Sequence, residues 1–187
     1  MASCARVQAH AACRATRSVG SVPRVAEERT RTYSWSDPLA ALGEMAGLSG
    51  LEVMQRMAAG ELPQPAIAET LGFELVGVEA GSAVFEGEPA EFHYNPIGTV
   101  HAGLAATLLD SAMGCALVTT LAAGVRWTTL ELKANFTRPI AVETGRIRCV
   151  GSVIHPGRRV AVTEARLEDS AGRLLAHATG TILVLDG

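Results

Sequence analysis

A chain of 187 residues with a formal charge of −3 has room for one domain with a real core, and it lacks the basic excess that would draw it to a nucleic-acid backbone. Hydrophobic residues make up 48% but aromatic residues only 4%, so the interior must be built mainly from Ala, Val and Leu. Cys4, Cys13, Cys115 and Cys149 show no CxxC or paired spacing, which argues against a disulfide framework or a zinc site and fits a reducing, cytoplasmic setting.

Residues 1–35 differ from the rest. There is no acidic residue up to Ala26, while Arg6, Arg14, Arg17 and Arg24 stand among small residues. That has the look of a transit peptide, but no apolar signal core or cleavage pattern stands out. A disordered extension or an upstream translation start is the favoured reading. Residues 36–64 read as a helical preamble. Within it, Ser49-Gly50-Leu51-Glu52 has the capping-box spacing, Leu51, Met54, Met57 and Ala58 share a face, and Gly60 and Pro63 close the element.

Residues 65–187 read as the main domain, strand-like from about Ile67. FELVGVEAGSAVFEGEP (73–89) holds two β-rich runs around a Gly81-Ser82 turn. Residues 102–125 are apolar or small nearly all round, which predicts a long helix buried on every side. A membrane span fits poorly, because amphipathic strands flank it and Asp110 sits in its middle. Four strand-like runs follow within 127–140, 145–159, 159–172 and 173–185. Turn signals at 143–145, 155–157 and 169–172 separate them, as in an antiparallel meander.

Asp110 is the residue that needs a reason, since burying one carboxylate costs several kcal/mol unless partners compensate. The pattern N-x-x-G-x-x-H-[GA]-G-x(6)-D is matched by Asn95, Gly98, His101, Ala102, Gly103 and Asp110. Together with one helix set among strands, it resembles the hotdog fold and, more narrowly, the PaaI-type acyl-CoA thioesterases of that superfamily. The likeness covers about residues 65–185. It implies an α+β domain, a long central helix wrapped by a curved antiparallel sheet of five to six strands. The activity it implies is hydrolysis of acyl-CoA, with aryl or medium-sized acyl groups, to a free acid and coenzyme A.

By the same resemblance, the backbone amide of Ala102, with Gly103 beside it, polarises the thioester carbonyl, and Asp110 acts as general base or nucleophile. HAG here departs from the commoner HGG, keeping the N–H but adding a methyl group. Ala102 and Asp110 are eight residues apart, so on one helix they are about 12 Å apart along the axis. If both act on one carbonyl, a second chain must supply one of them, and a dimer with two shared sites follows. Pairing of such dimers into tetramers is implied by the resemblance alone.

Asn95 is a candidate to orient the attacking water or to hold the carboxylate through its amide, the alternative being a turn residue before Pro96. His101 is a candidate for an orienting or a direct role. Counting back from Pro139 in the family pattern gives Thr129 as a hydroxyl on the carboxylate or its water. Thr128 beside it is a substrate-binding candidate. Arg158 and Arg159 are candidates for the coenzyme A phosphates, against the alternative of a solvated hairpin end. No Walker A, Rossmann or HExxH motif is present, and this chemistry requires no metal or cofactor. The rival readings are a non-catalytic acyl-CoA-binding module and a hotdog hydratase or dehydratase.

Overall fold

The computed structural model describes residues 28–185. The chain divides into two units, Met1–Thr32 and Tyr33–Gly187. Residues 28–32 carry no helix or strand. The rest of the expected N-terminal extension, with Cys4 and Cys13, lies outside the described residues. All that follows concerns the second unit.

Of the helical preamble, residues 36–41 form extended chain and turn, and α1 (Leu42–Met45) is a single turn. α2 (Gly50–Ala58) begins on the capping box: Ser49 Oγ accepts from the Glu52 N–H at 3.3 Å, and the Glu52 carboxylate accepts from the Ser49 N–H at 2.8 Å. Its buried face is Gly50, Val53, Met54 and Met57, which shares Met54 and Met57 with the face read from spacing, while Leu51 and Ala58 are only partly buried. A glycine contact turns it: a Cβ on Gly50 would lie 1.8 Å from the Val118 carbonyl oxygen.

Residues 66–71, expected to be strand-like, form a short helix, α3 (Ala66–Leu71), ended by Gly72 in the left-handed conformation at φ 72°. β1 (Phe73–Glu79) and β2 (Ser82–Gly87) make the first hairpin. After α4 (Ala102–Val118) come β3 (Arg126–Phe136), β4 (Ile147–His155), β5 (Val160–Asp169) and β6 (Leu174–Leu185). The six strands form one antiparallel sheet in the order β1-β2-β4-β5-β6-β3. This is the long helix on an antiparallel sheet that the sequence implied.

The meander is only partial. β4, β5 and β6 follow one another through short turns, but β3 pairs with β6 at the far edge. Residues 137–146 carry the chain back across the sheet, fixed at the start by the Thr137 and Arg138 N–H groups on the Leu175 carbonyl.

α4 is also shorter than expected, ending at Val118 instead of near residue 125. The hydroxyls of Thr119 and Thr120 donate to the carbonyls of Ala116 and Leu117, each at 2.7 Å, and Thr119 accepts from the Gly81 N–H at 2.7 Å. Such local bonds compete with helix continuation. Among the described residues no helix is long and apolar enough to cross a membrane.

Nor is α4 buried on every side. Leu104, Ala105, Leu108, Leu109, Ala112, Met113, Ala116 and Leu117 face the sheet and are buried. Ala102 is exposed, and Gly103, Ala106, Thr107, Asp110 and Ser111 keep partial exposure on the opposite side. Helix and sheet meet closely at Gly151, where a Cβ would fall 2.2 Å from the Ala112 carbonyl oxygen. Gly151→Ala is therefore expected to destabilise the fold by about 1–3 kcal/mol, the usual cost of overpacking. A urea melt would check this, and an unchanged midpoint would contradict the contact.

Candidate active site

The segment leading into α4 is braced from behind. His93 is buried, and its Nδ1 accepts from the Ala90 N–H at 2.9 Å while Nε2 donates to the Leu71 carbonyl at 2.8 Å. Its own carbonyl accepts from the His101 N–H at 2.8 Å. His93 thus ties the end of α3, through its ring, to the residue that caps α4, through its backbone carbonyl. His93 escaped the sequence reading; its signal was the H-x-N spacing before Asn95.

Asn95 builds the turn that follows. Its Oδ1 accepts from the N–H groups of Ile97 at 3.0 Å and Thr99 at 3.2 Å, and its Nδ2 donates to Thr99 Oγ1 at 2.9 Å. The carbonyl end of the amide is fully committed, so only the second Nδ2 hydrogen remains to meet water or a carboxylate. The turn reading of this residue is the one the geometry favours.

His101 is the N-cap of α4, with φ −62° and ψ 132°, and its Nδ1 accepts from the Gly103 N–H at 2.9 Å. The Gly103 amide is thus paired with the imidazole, and the cap fits the orienting role expected of His101. Among the described residues, nothing accepts from the Ala102 N–H. That leaves one outward-pointing donor at the positive end of a 17-residue helix, where the helix dipole adds to its attraction for negative charge.

Asp110 stands on the face of α4 turned away from the sheet core. Thr129 Oγ1 donates to its Oδ1 at 3.0 Å, so the hydroxyl counted back from Pro139 is on the carboxylate. The second oxygen is free to act. Strand alternation then sends the neighbouring Thr128 to the other face of β3, where it is exposed. Desolvation first, and the Asp110 charge second, push the Cys115 thiol up to about 12. Burial likewise raises Cys149. Both shifts favour the thiol over the nucleophilic thiolate.

Within one chain the two functional ends stay apart. Ala102 lines a cleft of about 270 Å³ with Asn95, Thr99, Phe136 and Arg138. Asp110 and Thr129 line a separate depression of about 350 Å³ with Ala106, Thr107 and Leu132. Arg158 and Arg159 lie on the exposed β4–β5 turn, and Arg158 lines a third cleft beside Leu117 and Leu121, at the end of α4 opposite Ala102. No cluster of residues suited to a metal ion occurs among the described residues.

The sequence over residues 97–176 matches the model of the thioesterase superfamily. The chain is 29% identical over 118 residues to a 1,4-dihydroxy-2-naphthoyl-CoA hydrolase of Listeria monocytogenes, covering 63% of this chain and 94% of the relative. It is 31% identical over 108 residues to human acyl-coenzyme A thioesterase 13, covering 57% of this chain and 76% of the relative. A solved putative thioesterase from Ralstonia eutropha, a phenylacetic acid degradation-related protein, superposes with a TM-score of 0.63 at 32% identity, covering 70% of this chain and 98% of that one.

Proposed function

This chain belongs to the thioesterase superfamily, and on that premise we propose that it hydrolyses acyl-coenzyme A thioesters, with aryl or medium-sized acyl groups, at two sites shared across a dimer. The observation that carries the reading is the Thr129-held carboxylate of Asp110 on the solvent side of the helix whose tip presents the free Ala102 N–H.

Placed against the thioester, the Ala102 amide donates to the carbonyl oxygen as it gains charge. Either Asp110 takes a proton from water, which attacks the carbonyl carbon, or the carboxylate attacks that carbon itself. The carbon–sulfur bond then breaks and the coenzyme A thiolate leaves; in the first route it takes up the proton held by Asp110 and the free acid is formed at once, and in the second a water hydrolyses the acyl–Asp110 anhydride to the acid and the regenerated carboxylate. Following oxygen-18 from water into Asp110 in a single turnover separates the two routes.

The dimer follows from distance. About 12 Å of helix separates the two groups, so each site takes its amide from one chain and its carboxylate from the other. Antiparallel α4 helices would cross near Ala106, midway between them, where the small side chains of Gly103, Ala106 and Thr107 permit close approach. β3 supports the same pairing. It is an 11-residue edge strand, and it leaves Leu130 58% and Phe136 49% exposed. An edge that long, with large apolar side chains exposed on it, can act as a template for another strand. Arg158 and Arg159 are the cations offered to the coenzyme A phosphates, and the free thiols Cys115 and Cys149 suit a reducing, cytoplasmic setting.

The test is release of free thiol from a panel of aryl and straight-chain acyl-CoAs, with the mass of the protein followed in parallel by sedimentation. Turnover by a dimer or a dimer of dimers is expected. No thiol release from any member of the panel would overturn hydrolysis in favour of a binding module.

A further inference from the structure

α4 packs beside β3, and the residues along that seam can be followed in order. Thr129 and the Asp110 carboxylate it holds line one depression. Four residues on, the Trp127 indole lies so close to the helix that a Cβ on Gly114 would fall 2.6 Å from the ring. Trp127 and Thr129 are two apart on one strand, hence on the same face. Beyond the indole opens a largely apolar cleft of about 740 Å³, lined by Met45, Val53, Val118, Leu121, Val125 and Trp127 itself.

We propose that the Trp127 indole is the stop that sets acyl length. The acyl group runs from the Asp110 carboxylate along the α4–β3 seam and ends on the ring, which separates it from the apolar cleft under α2. This rests on the acyl-CoA reading above and adds to it the residue that selects the substrate. From Asp110 to Gly114 is about 6 Å along the helix axis, and to Val118 about 12 Å. The first interval suits an aryl or short acyl group; the second suits a chain about twice as long. The cleft is apolar, as a hydrocarbon tail requires, and the indole has room to be cut back because 36% of its surface is open.

The experiment compares kcat/KM across saturated acyl-CoAs of increasing length for the parent, Trp127→Ala and Trp127→Phe. The ratio of long-chain to short-chain kcat/KM is expected to rise at least about tenfold in Trp127→Ala, since each methylene seated in an apolar pocket changes this quantity by roughly ten- to two-hundred-fold. Trp127→Phe should fall between. Should Trp127→Ala not fold, Trp127→Leu carries the same comparison. An unchanged length profile in a folded variant overturns the proposal while leaving acyl-CoA hydrolysis intact. If the parent cleaves none of the series, hydrolysis fails, and calorimetry with the same acyl-CoAs decides the stop. Long chains binding about tenfold tighter to the variant uphold it, and equal binding overturns it.

Discussion

Asp110→Asn is expected to lower kcat/KM for a cleaved acyl-CoA by about 10²-fold or more, the range that a positioned general base contributes. Asparagine keeps the shape of the side chain and an oxygen to accept the Thr129 hydroxyl, which sits 3.0 Å from the carboxylate. It loses the charge and the basicity, so a fall in rate without a change in fold isolates the chemistry. Asp110→Ala should fall at least as far. Both should remain folded and retain the parent's mass in sedimentation, since Asp110 is only partly buried and its loss opens no core cavity. Parental turnover in either variant would remove the carboxylate from the reaction and return it to the role of a satisfied polar group at an interface.

Ala102→Pro is the second change of large expected effect. Proline has no N–H, so it deletes the one donor left free at the tip of α4. Loss of one such donor typically costs about 2.7–4 kcal/mol of transition-state stabilisation, a fall of about 10²–10³-fold in kcat. The substitution is unusually gentle on the backbone. Ala102 is the first helical residue, where proline is well tolerated. His101 before it has φ −62° and ψ 132°, the extended conformation that a following proline demands. Ala102→Gly retains the N–H and should keep most of the rate, and the melting temperatures of both variants report whether the helix has held. A proline variant as active as the parent would rule out the Ala102 amide as the oxyanion donor.

Why some of this was legible in the sequence and some was not comes down to range. Asn95, His101, Ala102 and Asp110 stand at fixed spacing on one loop and one helix, so their mutual placement is a local property. Thr129 is reached by counting back from Pro139 in the pattern of the family the sequence resembles, a count that holds although the register of β3 shifts between Thr129 and Glu131. What the amides do was less visible. The Gly103 N–H is consumed only because the His101 ring folds back onto it, and a ring orientation leaves no trace in spacing. The end of α4 was misjudged because the apolar run through residue 125 hides the Thr119 and Thr120 hydroxyls that turn back onto the last carbonyls. The position of β3 was the hardest to foresee. Its pairing with β6 joins residues about fifty apart, and short turn signals cannot express that. The same non-local pairing brings Trp127 against Gly114, which spacing alone kept apart.

The geometry also assigns labour among residues that touch no substrate. The His93 ring anchors its own loop to Ala90 and Leu71, its backbone carbonyl holds the N–H of the residue that caps α4, and Asn95 holds the turn between them. Both brace the segment that leads to the Ala102 N–H.

The shared site can be tested without knowing the natural acyl group. Ala102→Pro and Asp110→Asn, each nearly inactive alone, are mixed under conditions that exchange subunits, and thiol release is followed. In a mixed dimer one site combines both lesions and the other has neither, so random exchange should restore about a quarter of the parental rate. A mixture no faster than its two components, although mixed dimers have formed, would mean that amide and carboxylate do not meet across the pair.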